Sequence, residues 1–198
     1  MLRNAIDSDY FAYNETVRDY VRADLGLEKN FIILQIARLV YQKNHIFSLS
    51  VFSEISHSVS NAVLLLAGDG NLRQSLEAEA TRLGISDKVR FLGFRSDIPQ
   101  LLQAADLFIL PSLFEGLGIS AIEAQCSGIQ CLLSNHVPDE AIITDNAIRL
   151  PLDVDIWCDK IVDIARNGYN RYDRSAEIAA AGYSLKDQIK ILENLYSQ

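Results

Sequence analysis

Four short apolar runs set the frame for this chain: Phe31-Ile-Ile-Leu-Gln-Ile36, Ala62-Val-Leu-Leu-Leu-Ala67, Val89-Arg-Phe-Leu92 and Leu107-Phe-Ile-Leu110. Each is of strand length and is stopped by glycine, proline or polar residues. Stretches with helical spacing alternate with them: Glu15 to Leu25, closed by Gly26; about Asn44 to Ser58; about Asn71 to Leu83, ending at Gly84; Ile98 to Ala104; and Ile119 to Ser127. Gln130-Cys-Leu-Leu133 and Ala147-Ile-Arg-Leu150 read as two further short strands. From Ile156 onward the pattern is helical, with Trp157, Ile161, Ile164, Ile189, Leu192 and Leu195 on apolar faces. Such alternation predicts an α/β fold, a doubly wound parallel sheet with right-handed crossovers and helices on both faces. No repeat, charge block or Pro-rich linker divides the chain, so residues 1–198 are expected to form one domain. Within it, 1–13 is a lead-in segment and about 156–198 a set of C-terminal helices.

Composition narrows the partners. Hydrophobic residues make up 49% and charged residues 22% of the 198, an ordinary globular balance. The formal charge of −8 argues against nucleic acid, which needs a basic surface, although a few cations gathered in one cleft would still hold an anion. No apolar run approaches the ~18 residues of a spanning helix. The segment Met1-Leu-Arg-Asn-Ala-Ile-Asp7 has no apolar core of signal-peptide length. Cys126, Cys131 and Cys158 lack paired zinc spacing and read as buried free thiols of a reducing cytoplasm.

Chemistry concentrates in two stretches. In Ser112-Leu-Phe-Glu-Gly-Leu-Gly-Ile-Ser-Ala-Ile-Glu-Ala124, Glu115 falls on the loop after a strand and Glu123 about one turn into the following helix. That edge of an open α/β sheet is where ligands bind. Glycine amides and a helix N-terminus suit an anion there, and two carboxylates suit sugar hydroxyls. In Ala37-Arg-Leu-Val-Tyr-Gln-Lys-Asn44, Arg38 and Lys43 flank a loop on the same edge. A guanidinium fork and an ammonium so spaced suit a diphosphate. Alone, these two read as solvated surface cations, and Glu123 alone as a carboxylate favoured by the helix dipole. Their shared edge favours the ligand reading. Asp7-Ser-Asp9 and Asp153-Val-Asp155 read as surface carboxylates, His45 and His136 as loop histidines, His57 as an exposed helix residue, and Gly68-Asp-Gly70 as a strand-end turn.

Arg38…Lys43 followed by Glu115-x7-Glu123 resembles the donor-binding, Rossmann-like C-terminal half of GT-B glycosyltransferases, specifically the retaining enzymes of family 4. The likeness runs from Asn4-Ala-Ile-Asp7 to about Val137 and includes Gly68-Asp-Gly70 and Leu92-Gly-Phe-Arg-Ser-Asp-Ile-Pro99. Within the family it is most like bacterial capsule and O-antigen transferases. The resemblance implies that Arg38 and Lys43 hold the donor diphosphate and stabilise the leaving nucleotide. Glu115 would accept from donor-sugar hydroxyls, with amides of Gly116, Leu117, Gly118 and Ile119 on sugar and phosphate. Glu123 would bind both ribose hydroxyls, and Phe94 and Arg95 would lie against the nucleobase.

It further implies a UDP-hexose or UDP-N-acetylhexosamine donor, no metal or cofactor, and a lipid-linked oligosaccharide acceptor at the inner face of the bacterial membrane. The family's N-terminal acceptor domain, with its glycine-rich loop and catalytic histidine, has no counterpart in the sequence. Donor binding without transfer is therefore expected, with the C-terminal helices packing on that domain and exposing apolar side chains here. Ala5 and Ala37 replace glycines of the family pattern, and a methyl at position 37 narrows the approach of a phosphate. Two other readings stand beside this one. One is another GT-B enzyme such as a 2-epimerase or phosphorylase. The other is a flavodoxin-like or receiver-type binding module, which Arg38 disfavours where a receiver needs acidic residues.

Overall fold

The computed structural model describes residues 4–196. Six parallel strands form one sheet: β1 (Phe31–Ile36), β2 (Ala62–Ala67), β3 (Val89–Gly93), β4 (Leu107–Leu110), β5 (Gln130–Ser134) and β6 (Ala147–Leu150). Their spatial order is β3-β2-β1-β4-β5-β6. Register is continuous from Phe31 beside Ala62 to Ile36 beside Ala67, and Ile33 stands beside Leu107. Because β1 and β4 are neighbours, chain direction through the sheet reverses between them. That places the topological switch point between the loops that follow Ile36 and Leu110.

Strand alternation sorts the core into two layers. Ile32, Leu34, Leu65, Phe108, Leu110, Cys131 and Leu133 point to one face. There they meet Leu101 and Leu102 of α5 (Ile98–Ala104) and Ala121 and Ile122 of α6 (Ile119–Cys126). Ile33, Leu64, Leu66, Leu107, Ile109 and Leu132 point to the other. They meet Leu49, Phe52 and Ile55 of α3 (His45–Ser58), Leu76 and Ala80 of α4 (Arg73–Arg82), and Trp157, Ile161 and Ile164 of α7 (Val154–Asn167). Trp157, fully buried, stacks edge-on against Phe47 at 5.4 Å and donates Nε1 to the Pro151 carbonyl at 2.8 Å.

At the opposite edge, α2 (Glu15–Leu25) sends Arg18 and Arg22 beneath the sheet, where both pair with Asp106. Asp106 also accepts from the Ile32 amide at 2.7 Å, so one carboxylate joins α2, β1 and β4. The lead-in carries a short helix, α1 (Ser8–Phe11).

The C-terminal region departs from a continuous helical reading. Helix α7 starts at Val154 on an Asp153 cap and stops at Asn167, and α8 (Ser175–Ile178) and α9 (Leu185–Tyr196) follow separately. Between them, residues 168–174 run as a strap. The Arg171 guanidinium donates to the carbonyls of Leu102, Gln103, Ala105 and Ser127, satisfying the buried C-terminal ends of α5 and α6. Along α9, Ile189 and Leu195 are exposed, as are Leu185 and Ile191.

Candidate functional site

The site is built by the loops at the switch point. After β1, Leu39 is fully buried and anchors its loop; the Arg38 side chain is exposed and has no ion-pair or hydrogen-bond partner among the described residues. A short 3₁₀ turn, Tyr41–Lys43, then brings the Lys43 ammonium 2.6 Å from Oε1 of Glu115. Ser112, fully buried, donates its hydroxyl to the same oxygen at 2.6 Å, and its carbonyl accepts from Ser134 Oγ at 2.6 Å. Backbone ties reinforce the meeting of the two loops. The Leu113 amide donates to the Gln42 carbonyl at 2.9 Å, and the Gln42 side chain donates to the Phe114 carbonyl at 2.8 Å.

The α6 N-terminus faces this pair. Gly118 caps it with φ 80, and among the described residues none of the amides of Gly116, Leu117, Gly118 and Ile119 donates to a protein acceptor. These are free donors at the positive end of a helix. Glu123 is largely buried in the second turn, and no described donor pairs with its carboxylate. Burial pushes its pKa up to about 7.

Beside the pair opens a cleft of about 430 Å³ lined by Ala37, Arg38, Gly68, Asp69, Phe94 and Arg95, with Ile36, Ala67 and Ile98 at its floor. The Phe94 ring stands 87% exposed on its rim. Arg95 is turned back onto Asp97, with Nε 2.7 Å from Oδ1. A second hollow, of about 340 Å³, lies across α6 between Asn4, Gly116, Leu117, Glu140 and Tyr183. A larger one, of about 650 Å³, lies away from this edge between α3 and α7, where Glu54, Asp155, Asp159 and Asp163 line it.

The two sequence stretches thus meet: Arg38, Lys43, Glu115, the loop glycines and Glu123 share one edge, with Phe94 and Arg95 two strands away. Ser112 and Asp97, the partners of Glu115 and Arg95, were visible three and two residues along the chain but not singled out. Gly68-Asp-Gly70 does more than turn the chain. A Cβ at Gly68 would lie 2.0 Å from the Ala37 carbonyl oxygen and one at Gly70 2.4 Å from that of Leu39. Only glycine lets the β2 loop close on the β1 loop.

His45 corrects the loop assignment. It is the first residue of α3, 1% exposed, and its pKa is lowered to about 4 by burial and then by Lys43. His136 is exposed in the turn after β5 and His57 exposed in α3. Asp7 and Asp153 cap helices, Asp9 pairs with Lys186, and Asp155 is exposed. Among the described residues no three His, Cys, Asp or Glu side chains cluster as metal ligands. Cys126 and Cys131 are buried free thiols; Cys158 is partly exposed, and burial pushes all three upward. No described helix is long and apolar enough to cross a membrane.

Comparison with known proteins agrees with this architecture. EpsF of Bacillus subtilis, named as a glycosyltransferase, is 31% identical over all of this chain, which spans 53% of its length. The UDP-Gal:α-D-GlcNAc-diphosphoundecaprenol α-1,3-galactosyltransferase of Escherichia coli is 33% identical over 68% of the chain and 36% of its own. The chain thus spans about half or less of these relatives. Among solved structures, Anabaena HepE in complex with UDP and glucose superposes on all of the chain and 56% of its own, with a TM-score of 0.83 at 22% identity. The C-terminal domain of the Francisella tularensis group 1 transferase LpcC covers 91% of this chain with all of its own, at a TM-score of 0.77 and 19% identity. These likenesses show the GT-B C-terminal fold. Residues 17–167 match the family described as glycosyl transferases group 1, and the chain belongs to that family.

Proposed function

We propose that this chain is the donor-binding half of a retaining glycosyltransferase that holds a UDP-hexose or UDP-N-acetylhexosamine across the β1/β4 switch point. The observation that carries the proposal is convergence. An unpaired Arg38 side chain, the Lys43 ammonium and four free amides at the α6 N-terminus gather on one sheet edge with the carboxylates Glu115 and Glu123. A diphosphate satisfies the first set and sugar hydroxyls the second.

Arg38 and Lys43 grip the diphosphate and offset charge building on it as the glycosidic bond breaks. Phosphate competes with Glu115 for Lys43, freeing the carboxylate to accept from the donor sugar. Glu123 accepts from the ribose hydroxyls, and Phe94 offers its exposed face to the uracil. The E. coli relative takes UDP-Gal and HepE binds UDP, which supports uridine as the base. That relative's lipid-diphosphate acceptor supports a lipid-linked oligosaccharide here, elongated at the inner membrane face for an O-antigen or capsule. Acceptor positioning belongs to the remaining half of such an enzyme, so this chain binds donor without sustained transfer.

Calorimetric titration with UDP, GDP and ADP tests the reading. Selective UDP binding, weakened in Arg38→Ala and Glu123→Ala, is the expected result. Absence of affinity for every nucleoside diphosphate, both here and in a chain extended by an N-terminal half, overturns it.

A further inference from the structure

Strand β1 carries one residue that core packing does not require. Gln35 is fully buried between Leu34 and Ile36, on the strand face that also presents Ile33 to the α3 layer. A buried amide without partners is destabilising, whereas an aliphatic side chain at the same place adds to the core. Both ends of this amide are used. Nε2 donates to the Lys43 carbonyl at 2.9 Å, and Oε1 accepts from Ser48 Oγ at 2.7 Å, with Ser48 itself buried in the first turn of α3.

The carboxamide therefore joins the strand, the turn that carries Lys43 and the helix that follows. The turn needs such a tie. Asn44, next along the chain, is the one non-glycine residue with positive φ among the described residues, at 53°. The bonds Lys43 N–Val40 O and Asn44 N–Tyr41 O are internal to the turn, and the neighbouring His45 ring makes no hydrogen bond at either nitrogen. Gln42 ties the turn sideways to the β4 loop, while Gln35 ties it down to β1.

We propose that Gln35 is a positioning residue for the anion-binding end of the site. By fixing the Lys43 carbonyl, it sets where the ammonium stands beside Glu115. The inference rests on the donor-site reading above. Buried beneath the turn, Gln35 acts through Lys43 and not by touching the ligand.

The test measures UDP and uridine affinities by NMR titration on the whole chain, with Gln35→Met, Lys43→Ala and the double variant. Methionine keeps an unbranched chain of similar length. Gln35→Met is expected to weaken UDP roughly three- to tenfold, the value of one well-placed hydrogen bond, and to leave uridine unchanged. In the Lys43→Ala background it is expected to have no further effect on UDP.

Equal losses for UDP and uridine, unchanged UDP affinity, or a full UDP loss in the Lys43→Ala background would each overturn the proposal. If Gln35→Met does not fold, Ser48→Ala loosens the amide with less disturbance, and a smaller UDP-specific loss is expected; none overturns the proposal. A parent chain that binds no UDP overturns the donor-site reading as well, a result distinct from a parent that binds UDP and a variant that binds it equally.

Discussion

Glu123 and His45 are displaced in opposite directions by the same cause, and their effects on stability offset each other through the acid range. His45 titrates near 4 in the fold instead of 6.5, through burial and then Lys43. Between those values the unfolded chain takes up a proton that the folded chain refuses. The stability present above pH 6.5 is therefore lost as pH falls to 4. Glu123 titrates near 7 instead of 4.5, through burial. Its folded carboxyl keeps a proton that the unfolded one releases, so stability present below pH 4.5 is lost as pH rises to 7. Each displacement corresponds to roughly 3 kcal/mol. Glu123→Gln removes the second effect alone. In urea unfolding at pH 8 the variant is expected to be more stable than its parent by roughly 3 kcal/mol, and to lose stability more steeply below pH 6.5. Equal stabilities at pH 8 would mean that the carboxyl ionises without penalty. On the donor reading, the same burial has a functional sign. Ribose hydroxyls bind best to the ionised carboxylate, so affinity for UDP-glucose is expected to rise from pH 6 to pH 8 in the parent and to stay flat in Glu123→Gln. A parent profile as flat as the variant's would exclude a ribose contact by Glu123.

The loops after β1, β2 and β4 depend on glycine in unequal ways, which two substitutions separate. Gly68→Ala would set a methyl group 2.0 Å from the Ala37 carbonyl oxygen at φ 142, against backbone that has nowhere to move. It is expected to cost roughly 2–4 kcal/mol and to distort the cleft. Gly116→Ala meets no atom within 4 Å and is expected to leave stability within about 0.5 kcal/mol. Chemical denaturation of the pair checks both, and a Gly68→Ala variant as stable as Gly116→Ala would mean the two loops part without penalty. Sequence pattern alone made much of this legible. The runs at 31–36, 62–67 and 107–110 coincide with strands to the residue, because strands buried on both faces read as unbroken apolar runs. Arg38, Lys43, Glu115 and Glu123 could be placed on one edge because strand ends and their loops were clear. The strap at 168–174 was not legible, since its order comes from Arg171 reaching carbonyls more than forty residues earlier. His45 was misplaced for a related reason. Asn44 turns through a left-handed conformation, so the helix starts at once and buries the ring.

Lead-in and C-terminal helix hold each other, and that closure lies on the α5 and α6 face of the sheet. Ile6 pairs in parallel with Ser184, its amide donating to the Tyr183 carbonyl and its carbonyl accepting from Leu185, both at 2.9 Å. Asp9 pairs with Lys186, Cys126 Sγ lies 3.4 Å from the Ser8 carbonyl, and Ile6 and Phe11 are buried in the core beneath α6 and α8. Gln103 of α5 completes the attachment, its Oε1 accepting from the Asn14 amide at 3.0 Å and its Nε2 donating to the Ala12 carbonyl at 3.2 Å. Within α9 itself, by contrast, Ile189, Ile191 and Leu195 remain exposed, so little apolar burial of its own secures that helix. The order of residues 185–196 should accordingly depend on the lead-in, while the sheet, pinned on its other edge by Asp106 between Arg18 and Arg22, should not. Removing residues 1–13 is expected to speed amide exchange across 185–196 at least about tenfold and to leave β1, β2 and β4 protected. Protection of α9 that survives the deletion would show that it is held through residues 179–183, where Gln188 donates to the Gly182 carbonyl at 3.0 Å. Loss of protection in β1 and β4 as well would show that the lead-in and the sheet unfold as one cooperative unit.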